Sequence, residues 1–191
     1  MSFHPVDKQV LFSGKKVRLE LHTLQDDDGN RRIAEIVVHP GAVVVLAFTA
    51  EGKILLIRNR RYSVGQTLWE LPAGTLEKGE DPINCAGREL VEETGYLAGR
   101  LTSIGNFFSS PGILTEKMYA YAAYDLERSQ TALEEGEEIE TEAIEFDRAI
   151  EMIRDGDIHD GKTIATLLMY DRFHRGPENS AVASLGDSSA H

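Results

Sequence analysis

Glu89, Glu92 and Glu93 crowd into a single short stretch, "RELVEETG" at residues 88–95. An α-helix turns about 100° per residue. On a helix, Glu89 and Glu93 therefore stand one above the other, with Glu92 beside them. Like charges four residues apart destabilise an isolated helix by roughly 0.2–0.5 kcal/mol. A solvated acidic face tolerates that cost, and for an arbitrary acidic cluster it is the ordinary reading. A cluster that is partly buried needs a cation to offset it. Hard carboxylate oxygens suit Mg²⁺, which takes a few carboxylates and completes its shell with water and phosphate oxygens. A dication held there would neutralise phosphate oxygens and make a bound water more acidic, which is the chemistry of metal-assisted hydrolysis.

The elements that must position these side chains are legible around them. Asp81 is a good N-cap, Pro82 suits the first helical position and Gly95 suits the C-terminal stop, which predicts a helix over 81–95. Ile83, Ala86 and Leu90 fall on a different face from the glutamates and are expected to pack on a sheet. Residues 8–24 alternate at Val17, Leu19 and Leu21 and read as a strand; "DDDGN" at 26–30 turns the chain into a partner over 32–38. "AVVVLAF" at 42–48 is apolar throughout and β-branched, which predicts a buried central strand. Further strands are expected at 54–60 and near 100–107, 117–125 and 140–146, with helices near 147–154 and 161–174. The small, polar last stretch reads as a disordered tail.

The spacing around the cluster is specific. Gly74 is followed after five residues by Glu80, and after seven more by Arg88-Glu89-Leu90-Val91-Glu92-Glu93-Thr94-Gly95. This pattern closely resembles the Nudix box, departing only at Tyr96, where the family most often has an aliphatic residue. The resemblance implies an α/β fold: a Nudix-type α/β/α sandwich with a mixed sheet, here with an N-terminal antiparallel β-sheet region. It implies that family members hydrolyse a nucleoside diphosphate linked to another moiety. Mapped onto this chain, it makes Glu89, Glu93 and the backbone carbonyl of Ala73 ligands of Mg²⁺ (Mn²⁺ able to substitute), with Glu92 in the same shell as a catalytic candidate. Arg88 and Glu80 take structural parts, Arg88 holding carboxylates by charge-assisted hydrogen bonds.

Features outside the box resemble the ADP-ribose pyrophosphatase subgroup. "LIRNRRYSVGQTLWELPAG" at 56–74 is similar to the segment leading into the box there. By that match Arg61 contacts phosphate and Glu70 hydrogen-bonds the nucleoside side of the ligand. Pro111, fifteen residues beyond Tyr96, resembles the subgroup's proline marker and would stiffen a loop beside the ligand. Glu116 matches a recurrent acidic position without an assigned role. In the acidic stretch 132–146, the resemblance places Glu137 at the metal and the attacking water, with Glu135 as runner-up. A loop carboxylate there could orient or deprotonate the nucleophile. The N-terminal strands match a sheet that the subgroup uses in a homodimer, often exchanged between subunits. The expected division is residues 1–40 as dimerisation strands, 41–175 as the hydrolase domain and 176–191 as the tail.

Composition is consistent with this. The chain has 191 residues, 41% of them hydrophobic and 27% charged, the balance of a globular domain. A net charge of −12 repels polyanions and argues against nucleic-acid binding. The lone cysteine, Cys85, excludes an intrachain disulfide and reads as packing on the box helix. No apolar run reaches the roughly 20 residues that span a bilayer, and the N-terminus lacks a signal-peptide pattern. Together these give the expectation of a cytoplasmic protein with no membrane partner. The histidines show no metal-ligand spacing, and Trp69 reads as packing. The expected function is Mg²⁺-dependent hydrolysis of ADP-ribose to AMP and ribose 5-phosphate. Other nucleotide sugars, such as GDP-mannose or ADP-glucose, are the alternative substrates. A non-catalytic sensor of nucleotide sugars is the alternative of another class; the intact glutamates count against it.

Overall fold

The computed structural model describes residues 2–129 and 139–176. Its elements run β1 (His4–Ser13), β2 (Arg18–Gln25), β3 (Arg31–Val38), β4 (Ala42–Ala47), β5 (Ile54–Arg61), β6 (Gln66–Glu70), β7 (Ala73–Thr75), α1 (Pro82–Thr94), β8 (Tyr96–Phe108), β9 (Lys117–Arg128), β10 (Ile139–Ile144), α2 (Phe146–Asp155) and α3 (Gly161–Phe173).

Two sheets form the body. One is mixed, in the order β7-β4-β9-β8, with β4 parallel to β9 and antiparallel to β7. The other is antiparallel, β10-β5-β6. All six residues of β4 are buried, and their alternation explains the layering. Side chains alternate across a strand, so Val43, Val45 and Ala47 meet Cys85, Ala86 and Leu90 of α1. Val44 and Leu46 face the other way, into a cluster with Phe146, Ala149 and Met152 of α2 and Leu167 of α3. Helices thus cover both faces of the central strand, as an apolar strand without alternation requires. Each fully buried Val or Leu there contributes roughly 1.5–3 kcal/mol.

β1, β2 and β3 make a separate antiparallel sheet. The single strand expected over 8–24 is in fact two, joined by a turn in which the Gly14 amide donates to the Val17 carbonyl at 2.9 Å. The apolar residues change phase there: Val10 and Phe12 stand at even positions, Val17, Leu19 and Leu21 at odd ones. The turn at 26–30 forms as expected, because the Asp26 carboxylate accepts from the amides of Asp28 and Asn30 at 3.1 and 2.8 Å. β3 is tied to the loop after β8, the Val37 amide donating to the Ile113 carbonyl at 2.8 Å.

The caps of α1 are those the sequence predicts. The Asp81 side chain accepts from the Ile83 amide at 3.2 Å. Gly95 adopts a left-handed conformation, φ 71°, and its amide closes on the Val91 carbonyl. The buried face differs in one residue: Ile83, in the first turn, is 40% exposed, and Cys85 is buried with Ala86 and Leu90. β6 and β7, short and partly polar, carry no periodicity that predicts them; both exist by pairing with longer strands. No described helix is long and apolar enough to cross a membrane.

Candidate active site

α1 and β7 form one wall of the site. Glu93 is only 4% exposed, and its Oε2 accepts the Ala73 amide at 2.8 Å, joining the helix to the strand. Glu89 folds over Gly74. A Cβ on Gly74 would stand 1.8 Å from the Glu89 Cδ and 2.0 and 2.1 Å from its two oxygens, so only glycine admits this carboxylate. Arg88 is the hub of the wall. Its Nε and Nη2 donate to the two oxygens of Glu80, both at 3.0 Å. Its Nη1 donates to Glu89 at 2.7 Å and to Glu92 at 2.9 Å. One guanidinium therefore gathers three carboxylates. The hydrogen bond from Arg88 lowers the Glu80 carboxyl to about 2, and Glu80 in turn raises the Arg88 guanidinium. Cys85 lies beneath, its thiol pushed up to about 12 by burial, so it remains a neutral packing group.

Among the described residues no three His, Cys, Asp or Glu side chains converge as a ready-made cage for a metal ion. The geometry explains this: Arg88 draws Glu89 and Glu92, while the Ala73 amide takes an oxygen of Glu93. The donor set still fits a hard dication. It consists of carboxylate oxygens, and Glu89 occupies the space that the missing Cβ of Gly74 leaves beside β7.

β5, β6 and the start of α3 supply a second group of site residues. Glu70, at the end of β6, is 0% exposed. Arg61 grips it in a bidentate pair, Nε to Oε1 at 2.7 Å and Nη2 to Oε2 at 2.5 Å. The Glu70 hydrogen bond raises the Arg61 guanidinium, which stays charged. Lys162 also donates to Glu70 Oε2 and lies 3.0 Å from Asp160.

Both groups line one cleft of about 1340 Å³. Of the residues singled out in the sequence, Arg61, Glu70, Ala73, Glu89 and Glu93 line it. Glu92 does not line it, its carboxylate being held by Arg88. Pro111 stands on an exposed turn outside the lining, whereas Ser109 and Glu116 on either side of it belong to the lining. Glu116 Oε1 is 3.5 Å from Nδ1 of His39. Glu137 and Glu135 fall outside the described residues. Sequence reasoning missed Lys15 and Lys16, which the β1–β2 turn brings to the cleft, and Lys162 and Asp160. The glycine of "SGKKV" was the available signal for the first pair; Asp160, a helix N-cap, was the signal for the second.

A family model for the NUDIX domain matches residues 38–167. The chain belongs to the Nudix family. Its relatives include an ADP-ribose pyrophosphatase of Bacillus subtilis, 39% identical over 160 residues, covering 83% of this chain and 86% of the relative. A methanol dehydrogenase activator of Bacillus methanolicus is 37% identical over 161 residues, covering 83% and 87%. A GDP-mannose pyrophosphatase of Salmonella paratyphi B is 34% identical over 157 residues, covering 73% and 82%. A crystal structure of an ADP compounds hydrolase superposes with a TM-score of 0.82 over 94% of this chain and 97% of that one, at 20% identity. The fold is thus the Nudix sandwich that the box implied, and the protein is an enzyme of this hydrolase family. Nudix hydrolases generally use divalent metal ions.

Proposed function

We propose that the protein hydrolyses the diphosphate bond of ADP-ribose, giving AMP and ribose 5-phosphate, with Mg²⁺ as the cation and Mn²⁺ able to replace it. The observation that carries this reading is that carboxylates and cations line one cleft together. Glu89 and Glu93 of α1 belong to its lining, and Arg61 of β5 with Lys15 and Lys16 from the β1–β2 turn offer cations to an anionic ligand there. The relative from Bacillus subtilis supports the choice of ADP-ribose. GDP-mannose is the second reading, supported by the Salmonella relative.

Each group has a defined task. Arg61 presents its remaining donors to a phosphate, oriented by Glu70, which is buried with both oxygens taken by Arg61 and Lys162 and serves here in place of the nucleoside contact that the resemblance implied. Glu89, Glu93 and the Ala73 carbonyl would hold the cation, which when bound would neutralise phosphate charge and make a water more acidic. Arg88 sets the positions of Glu89 and Glu92. Glu137 would accept the proton of the attacking water, with Glu135 as the neighbouring candidate. Pro111 would stiffen the loop whose flanks, Ser109 and Glu116, line the cleft.

The partner chain is a second copy of this one, docked through the N-terminal sheet. All ten residues of β1 are exposed, among them Val6, Val10 and Phe12, and Ile33 of β3 is 61% exposed. Sedimentation of the full chain and of a chain lacking residues 1–40 tests this; a monomeric full chain overturns it.

The deciding experiment incubates the enzyme and Mg²⁺ with a panel of nucleotide sugars and identifies the products. ADP-ribose is expected to give AMP and ribose 5-phosphate at the highest kcat/KM; no turnover of ADP-ribose would remove the reading. Glu137→Gln is expected to lower kcat more than it weakens binding. A larger loss in Glu135→Gln moves the base to that residue.

A further inference from the structure

The cleft that holds the glutamates is also lined by a charge cluster that the box does not explain: Arg61, Glu70, Asp160 and Lys162. Glu70 is completely buried yet meets two cations, Arg61 and Lys162. One carboxylate cannot neutralise both. Asp160 supplies the second negative charge, its Oδ2 lying 3.0 Å from the Lys162 ammonium. Within this cluster two cations and two carboxylates balance, and the Arg61 guanidinium also feels the charge of Glu93. The same Asp160 oxygen caps α3, accepting the Thr163 amide at 3.0 Å and the Thr163 hydroxyl at 2.6 Å. The Thr163 hydroxyl oxygen accepts the amide of Leu71, next to Glu70, at 2.9 Å. α3 is therefore stapled to the end of β6 twice, through Thr163–Leu71 and through Lys162–Glu70.

The consequence falls on Arg61. Its Nε and one Nη2 proton are committed to Glu70. A guanidinium is a rigid planar fork, so fixing one edge fixes the direction of the other. The side chain is 37% exposed and belongs to the cleft lining. We propose that Lys162 is the positioning residue that sets the Arg61 guanidinium for a phosphate of the substrate, acting through Glu70. This rests on reading the cleft as a nucleoside-diphosphate site. Without Lys162, Glu70 and Asp160 face a single cation, Arg61. The cluster then carries a surplus negative charge where an anionic ligand must approach, and Glu70 loses the donor that steadies Oε2.

The test uses the full-length enzyme, steady-state kinetics with ADP-ribose and Mg²⁺, and calorimetric binding of α,β-methylene ADP-ribose, a non-hydrolysable analogue. In Lys162→Met, Kd and KM are expected to rise about tenfold or more while kcat changes by less than about threefold, the mark of lost ground-state binding. Lys162→Arg keeps the charge and is expected to bind within about threefold of wild type. The double variant Asp160→Asn/Lys162→Met removes one charge of each sign and keeps a capping side chain, since Asn caps a helix as well as Asp; most of the lost affinity is expected to return. Wild-type affinity in Lys162→Met overturns the proposal. So does a loss that neither Arg nor the double variant restores.

A second readout needs no ligand. The Nε–H NMR signal of Arg61, assigned by its disappearance in Arg61→Lys, is expected to exchange slowly with water in wild type and Lys162→Arg, and rapidly in Lys162→Met. If wild type shows that pattern but does not bind the analogue, the substrate reading falls and the positioning of Arg61 by Lys162 stands. An Arg61 signal unchanged in Lys162→Met sinks the positioning whatever the ligand does.

Discussion

Gly74 and Glu89 occupy the same space: a methyl group on the first would sit 1.8 Å from the carboxyl carbon of the second. The glycine that opens the box motif and the glutamate fifteen residues later are thus one steric unit. Gly74→Ala is expected to expel the Glu89 carboxylate from β7. Displacing a catalytic group by about 1 Å costs on the order of a hundredfold in rate, so kcat is expected to fall by at least about that factor. Near-wild-type kcat in this variant, with an unaltered α1, would show that Glu89 does not need its present place.

Glu93 separates fold from chemistry. Its Oε2 serves the Ala73 amide, and a glutamine oxygen can accept the same bond. Glu93→Gln is therefore expected to melt close to wild type and to lose nearly all turnover, because a neutral amide is a poor ligand for a hard dication. Full activity with Mg²⁺ in Glu93→Gln removes the metal assignment.

Arg88 is the shared counter-charge of Glu80, Glu89 and Glu92. Arg88→Met leaves three carboxylates facing one another on a helix that must still pack on the sheet. Breaking a fully buried pair costs roughly 3–5 kcal/mol; with Arg88 27% exposed, solvent screening reduces this to about 2 kcal/mol. Chemical denaturation is expected to show that loss, together with a fall in activity. An unchanged midpoint would mean that the network contributes nothing net.

Acid stability follows from Glu80. The Arg88 hydrogen bond holds its folded carboxyl at about 2, against about 4.5 when free. A depressed folded value means that the stabilisation is fully present above about 4.5 and drains away as pH falls toward about 2. The melting temperature of the wild type should fall through this window, and Glu80→Gln should show a shallower fall. Identical acid profiles for the two proteins would show that the Glu80–Arg88 pair is not what acid breaks.

Spacing along the chain was enough to specify α1, its Asp81 and Gly95 caps, the anionic face of Glu89, Glu92 and Glu93, and the buried run of β4, because each depends on neighbours within a turn or on strand alternation. The same local logic failed at Gly14, where a change of phase marked a reversal, and at β6 and β7, which owe their existence to partner strands. What only the tertiary structure decided is the company each charge keeps. Glu70 and Lys162 are ninety-two residues apart, as are Leu71 and Thr163; no periodicity carries such a pairing. Sequence alone does not say which charge a carboxylate or a lysine will meet once folding removes the water around it. Once buried, each must find an opposite charge, and chain topology dictates which one is within reach.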